Sequence, residues 1–255
     1  MKHFHFQQIQ KSFSNEIGGQ VSVIDNLTFS TAEGEITSII GPSGCGKTTF
    51  LRIIAGFEES YSGTVTIEDG NTKATALPVG TVGYIPQEPS LFPWYTVEEN
   101  VAFSLRLRNV SKVSLQQRVE ELLRMVGLEA YRTYYPKELS GGMKQKVTIC
   151  RALAVPPPFG LLLLDEPFSA LDSQTRNALQ QDLLSIHTSQ HLTLIFVTHN
   201  IDEAVFISDQ VVVLSQLPAR VKNIVTIPLP HPRDRTSPEF NAIRKDLLNL
   251  GEFMH

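Results

Sequence analysis

The chain lacks the features that would let it cross a membrane, bind nucleic acid by charge, or be held by cross-links. Its longest apolar stretch, around residues 159–164, is far shorter than the roughly 20 residues that span a bilayer. The amino-terminal MKHFHFQQIQ has no apolar block of the signal-peptide kind. With only two cysteines, Cys45 and Cys150, far apart in sequence, neither a disulfide framework nor a zinc-finger spacing is present. A reducing, cytoplasmic setting is the expectation, with any membrane association, peripheral on the cytoplasmic face, made through a protein partner. The net charge of −4 and the absence of a Lys/Arg cluster argue against nucleic acid as a partner. No internal repeat is visible, and tryptophan occurs once, at Trp94.

What is present is a chain of 255 residues, 42% hydrophobic and 19% charged, enough to bury a substantial core. Short apolar runs at 35–40, 64–68, 81–85, 161–165, 193–198 and 210–214 predict strands buried on both faces. Residues 114–127 carry Leu115, Val119, Leu122, Leu123 and Val126 at helical spacing. Ser114 and Gln117 offer a capping box, and Gly127 a stop. A second helix is predicted over 142–154. Strands flanking a helical middle predict an α/β core with an inserted helical lobe rather than evenly alternating βαβ units. The proline-rich tail from Pro228, ending in a short helical pattern through Leu250, reads as a surface appendage.

The chemistry is carried by short motifs. GPSGCGKT at 41–48 matches the phosphate-loop pattern, directly after the apolar run ITSII and before a predicted helix. Glycines let backbone amides close round a phosphate at a helix start. Lys47 reaches the β and γ phosphates, and the Thr48 hydroxyl holds Mg²⁺. In this loop Cys45 reads as a space filler, with redox sensitivity as a second possibility because of the nearby lysine and helix start. LLLLDEP delivers Asp165, placed to hold Mg²⁺, and Glu166, placed to activate water, at a strand's carboxyl end. His199 closes LIFVTH and Gln87 follows VGYIP. The first suits a γ-phosphate contact, the second a Mg²⁺ ligand that also holds water. LSGGMKQKV opens a second glycine-rich helix start at Ser140, Gly141 and Gly142. One nucleotide already has its cradle at 41–48, so this second start is either a turn or serves a nucleotide held by another chain.

Taken in order, GPSGCGKTT, Gln87, LSGGMKQKV, LLLLDEP, SALD and His199 resemble the motif set of an ATP-binding cassette (ABC) ATPase. The resemblance covers nearly the whole chain. It implies an ABC ATPase fold: a RecA-like mixed sheet as core (1–86 and 156–220), an inserted α-helical subdomain (87–155), and a carboxyl-terminal extension (221–255). ATP and Mg²⁺ are the implied cofactors. Gly41, Pro42, Ser43, Gly44, Cys45, Gly46, Lys47, Thr48 and Thr49 would bind the nucleotide, with Phe13 stacked on adenine. A second copy of the ATPase would pair head to tail, so that Ser140, Gly141, Gly142 and Asp172 close on the first copy's nucleotide.

More narrowly, EPSLFPWYTVEENV, EPFSALD and the tail are similar to ATPase subunits of importers for nitrate, sulfonates, taurine and related solutes. There the ATPase pair drives a separate membrane permease, fed by a solute-binding protein. The resemblance places permease docking near Gln87, with Leu91, Phe92, Trp94 or Tyr95 lining the surface in part, as aromatic anchors in a helix-in-groove interface do. Phe50, Lys144, Lys146 and the VPPPFG stretch depart from the common pattern. ABC proteins of DNA or the ribosome typically carry a coiled-coil insertion or two cassettes, and this chain has neither. A nucleotide-dependent scaffold without hydrolysis sits poorly with Lys47, Glu166 and His199 together.

Overall fold

Alternating side chains open the chain: Phe4, Phe6 and Ile9 are buried while their neighbours face outward. The resulting strand β1 (Lys2–Ser14) pairs antiparallel with β2 (Gln20–Ala32). The computed structural model describes residues 2–14, 18–69, 72–74, 82–154 and 160–250. The chain divides into two compact units, one of Met1–Val79 with Thr193–His255 and the other of Gly80–Leu192.

In the first unit, β3 (Ile36–Ile40) leads into α1 (Lys47–Ile54), and β4 (Ser62–Asp69) and β5 (Thr72–Ala74) complete an antiparallel sheet in the order β2-β1-β4-β5. Phe50 of α1 meets Phe6 and Phe29 of this sheet, with each ring centroid 5.4 Å away. That cluster accounts for a phenylalanine where the resemblance leads one to expect leucine. Strand β4 is predicted to be buried on both faces and is so only at its centre: Val65 and Thr66, on opposite faces, are buried while Thr64 and Glu68 are exposed.

The second unit contains β6 (Val82–Ile85), α2 (Val97–Leu107), α3 (Lys112–Met125), α4 (Gly141–Leu153), β7 (Leu161–Asp165) and α5 (Ser173–Gln190). Strands β6 and β7 are parallel, with Ile85 opposite Leu164. Helix α2 packs on α3 and α4, and Thr96 with Glu99 forms a capping box at its start. The start of α3 is set by Ser111, whose hydroxyl accepts from the Ser114 N–H, so the predicted box at Ser114 and Gln117 is not used. Gly127, at φ 69°, ends that helix as expected. Val155 to Phe159 of the VPPPFG stretch lie outside the described residues.

The chain returns to the first unit with β8 (Leu194–Val197), α6 (Ile201–Ile207), β9 (Gln210–Leu214), β10 (Val221–Thr226) and α7 (Pro238–Leu250). Strand β3 runs parallel between β8 and β9, and β10 adds antiparallel. The tail is more than a surface appendage. Phe240 and Leu247 of α7 are buried, and the Arg233 guanidinium, also buried, donates to the carbonyls of Val205 and Ser208, both at 2.6 Å. Those carbonyls end α6, so the tail clamps the helix that follows His199.

A phosphate cradle and a carboxylate strand end

Parallel strands align the ends that carry polar groups. Strand β3 is buried throughout, and its chain emerges at Gly41 and Pro42. The next turn is closed by the Cys45 N–H donating to the Pro42 carbonyl at 3.2 Å. Gly46 caps α1 at φ 115°, a conformation that L side chains avoid, and a Cβ there would sit 3.0 Å from the Val23 carbonyl oxygen. Lys47, only 5% exposed, donates from Nζ to the carbonyls of Gly41 and Pro42, each at 2.8 Å. Ser43, Gly44 and Thr48 are exposed and Thr49 is half-buried. Burial pushes the Cys45 thiol pKa up, outweighing the nearby Lys47 charge. That removes the low-pKa basis for redox sensitivity.

Strand β8 pairs with β3 through Ile39 and Val197, so His199 emerges at the same sheet edge as the phosphate loop, and it is exposed. The Thr198 hydroxyl donates to Glu203, and Asn200 caps α6, fixing the backbone on both sides of His199. Phe13 lies near the end of β1, opposite Val21, and is 40% exposed. Lys11 Nζ lies 4.6 Å from its ring centroid, held there by the Ser60 carbonyl and the Glu58 carboxylate.

In the second unit the ends of β6 and β7 bring Gln87 and the acidic pair together. Asp165, 3% exposed, accepts a hydrogen bond from the Tyr84 hydroxyl at 3.1 Å. Glu166 adopts φ 44°, an uncommon backbone state for a non-glycine residue that costs energy and tends to mark functional sites. Gln87 Nε2 lies 3.4 Å from both Glu166 Oε2 and Ser169 Oγ. Tyr84, Ser169 and Lys11 were not singled out in the sequence. Ser169 stands in the EPFSALD run and Tyr84 two residues before Pro86, so proximity to the motifs was the available signal.

Ser140 caps α4, its hydroxyl accepting from the Met143 N–H at 3.3 Å. Gly141 is exposed, whereas Gly142 is buried with its Cα facing Thr175, and a methyl group there would overlap the Thr175 side chain. Asp172 is exposed and caps α5, accepting from the N–H groups of Gln174 and Thr175 at 3.1 and 3.0 Å. Of the departures on α4, Lys146 is engaged by the Val126 carbonyl and by Asp182 at 2.8 Å.

Past Gln87, Phe92, Trp94, Tyr95 and Phe103 form one aromatic cluster, with Phe92 and Phe103 centroids 4.5 Å apart. Leu91, Phe92 and Tyr95 are half-buried, and Trp94 is 65% exposed. A cleft of about 730 Å³ opens beside this cluster's helix, lined by Glu98, Ala102, Arg106, Val110, Leu115 and Val119 of α2, α3 and the turn between them. None of the four aromatic-loop residues proposed for docking lines it.

A glycine-rich cradle with a buried lysine, an acidic end on an apolar strand, and a serine-capped second glycine start define a phosphate-loop nucleotide-binding cassette. The fold is that of an ABC ATPase: solved dimers of the ATP-binding cassette MJ0796, one of them in a post-hydrolysis state with ADP and Pi, match with TM-scores of 0.73 and 0.74 at 28% and 29% identity. Each match covers 89% of this chain and the whole of the other. The sequence profile of the ABC transporter family matches residues 24–169, and the chain belongs to that family. It is similar to the aliphatic sulfonates import ATP-binding protein SsuB of Bacillus subtilis, 44% identical over 95% of this chain and 92% of the relative. An uncharacterized ABC transporter ATP-binding protein, MJ0412 of Methanocaldococcus jannaschii, is 46% identical over 91% of this chain and 85% of its own length.

Proposed function

We propose that this chain is the ATP-hydrolysing subunit of an importer, working as a head-to-tail pair on the cytoplasmic face of the membrane and driving a separate permease fed by a solute-binding protein. Among nitrate, sulfonate and taurine, an aliphatic sulfonate is the solute that the names of its relatives favour. The observation that carries hydrolysis is the Glu166 carboxylate, presented at φ 44° from an apolar strand end and touching the Gln87 amide.

The donor set fits ATP and Mg²⁺. Gly46 keeps the loop open where a Cβ would crowd Val23, and Lys47 stands inside the turn with its ammonium buried. Thr48 supplies a hydroxyl beside it, and Asp165 a buried carboxylate braced by Tyr84. Thr48, Gln87 and Asp165 would hold Mg²⁺, which would supply positive charge against the phosphates. Residues 41–49 bind the phosphates through amides and the Lys47 charge, and Phe13 offers its exposed ring to adenine. Glu166 takes the proton of the attacking water, Gln87 orients that water, and His199 donates to the γ-phosphate. Ser140, Gly141, Gly142 and Asp172 close on the nucleotide of the second copy. The division into core, helical subdomain and extension, and the docking of the permease at Leu91, Phe92, Trp94 and Tyr95, belong to the same proposal.

Glu166→Gln removes the base while preserving shape. Phosphate release should fall by about 10²- to 10⁴-fold while ATP is still bound. Wild-type turnover by that variant in the assembled transporter would sink the assignment.

A further inference from the structure

Helix α4 begins at the Ser140 start and ends, about 18 Å away by helix geometry, beside the aromatic loop. The link at that end is Arg151, in its last turn. Its Nη1 donates to the Ser90 carbonyl at 2.7 Å and its Nη2 to the Ser90 hydroxyl at 3.1 Å. The guanidinium carbon lies 5.5 Å from the Phe92 ring centroid, within cation–π range. The Arg151 carbonyl in turn accepts from Ser104 of α2 at 3.4 Å.

The loop's other half is stapled to α2. The buried Asn100 side chain accepts from the Phe92 N–H at 2.8 Å and donates to the carbonyls of Phe92, Tyr95 and Thr96 at 3.0–3.2 Å. Residues 88–96 are therefore held from two helices, by Asn100 among others on α2 and by Arg151 on α4. A planar guanidinium holding one backbone carbonyl, one hydroxyl and one ring face transmits displacement, because it cannot swivel without losing all three.

We propose that Arg151 is a positioning residue that ties α4 to the loop leading from Gln87 to Trp94, so that a shift of the Ser140 start on nucleotide-bound pairing is delivered to Trp94. This rests on the reading of Ser140 as the contact with the second copy's nucleotide. Its consequence is that Arg151 contributes to coupling and not to binding or chemistry.

Trp94 is the chain's only tryptophan, so its emission reports on this loop without a label. In a Glu166→Gln background, ATP with Mg²⁺ should change Trp94 emission, and adding Arg151→Met should shrink that change about fivefold with ATP affinity kept within about twofold. Arg151→Lys, which can still donate to the Ser90 carbonyl, should restore part of it. Should Arg151→Met fail to fold, Ser90→Ala with Phe92→Leu removes the side-chain partners from the loop side and should cut the change about twofold. An unchanged response in these variants, or no response to ATP in the parent, overturns the proposal. In the assembled transporter Arg151→Met should lower permease-stimulated hydrolysis while basal hydrolysis stays within about twofold; equal loss of both also overturns it. If the permease does not engage the wild-type chain, the importer reading fails, and the Trp94 response still decides the role of Arg151.

Discussion

The helix starts at Gly46 and Ser140 use the same backbone chemistry and differ in what they bring to it. At Gly46 the cap is a left-handed glycine with no side-chain acceptor, and a buried ammonium stands within the turn. At Ser140 the cap is a serine hydroxyl spent on its own helix, and α4 has no acidic or basic residue among Gly141, Gly142 and Met143. In the proposed function the first start would bind phosphate alone, since it joins helix-start amides to a cation. The second offers amides and a hydroxyl but no charge. It can complete a site and cannot found one. In the proposed head-to-tail pair, two copies would give each cradle the partner it lacks.

The largest effect that would separate the two starts is expected at Lys47. Removing its charge with Lys47→Ala should weaken ATP binding by about 30- to 1,000-fold, by analogy with truncating one member of a desolvated charge pair, whereas Ser140→Ala should leave single-chain ATP affinity within about twofold. Titration calorimetry on the two variants checks this. Equal losses would erase the distinction between founding and completing a site.

A smaller effect is expected at Gly142. A methyl group there meets Thr175, so Gly142→Ala should destabilise the fold by about 1–3 kcal/mol, and Gly142→Ala with Thr175→Ser should recover part of that loss. At exposed Gly141, whose Cβ would meet only the Leu171 side chain at 3.4 Å, alanine should change thermal stability little. Melting curves of the three variants make the comparison. If Gly141→Ala cost more, the packing account of this start would be wrong.

The smallest effect concerns Asp172. The Thr175 N–H first, then its hydroxyl and the Gln174 N–H, hold this carboxyl below the ordinary 3.8. A folded value below the unfolded one means that the cap's stabilisation is fully present above 3.8 and is lost as pH falls through the lowered value. Asp172→Asn should therefore flatten the acid side of the stability profile, seen as melting temperature against pH between about 5 and 2. A profile as steep as wild type would mean the charge contributes nothing to the cap.

What could be read in the sequence and what could not have the same physical basis. The phosphate loop, the acidic pair and the Ser140 start are contiguous, so spacing alone exposes them. The two long strands at the amino end contain no continuous apolar run. These strands are one-sided and alternate, and Gln8, at φ 53°, shifts the register between Phe6 and Ile9 and breaks even that alternation. β10, with mostly exposed residues, shows no apolar run at all. The tail's buried Phe240, Leu247 and Arg233 find partners that only the folded chain supplies. Arg151 and Ser90 are 61 residues apart, and nothing local announces their meeting. The residues proposed for chemistry lie in contiguous motifs, whereas those that position them are mostly scattered along the chain.

The central claim is that each cradle is completed by the other copy's Ser140 start, and mixing two variants tests it directly. Lys47→Ala disables a cradle and spares the Ser140 start, and Ser140→Arg does the reverse. In a Glu166→Gln background neither alone should form an ATP-dependent pair by light scattering. Their mixture should, because one intact cradle meets one intact start. A mixture that stays unpaired at saturating ATP, or pairing by Ser140→Arg alone, would contradict the account.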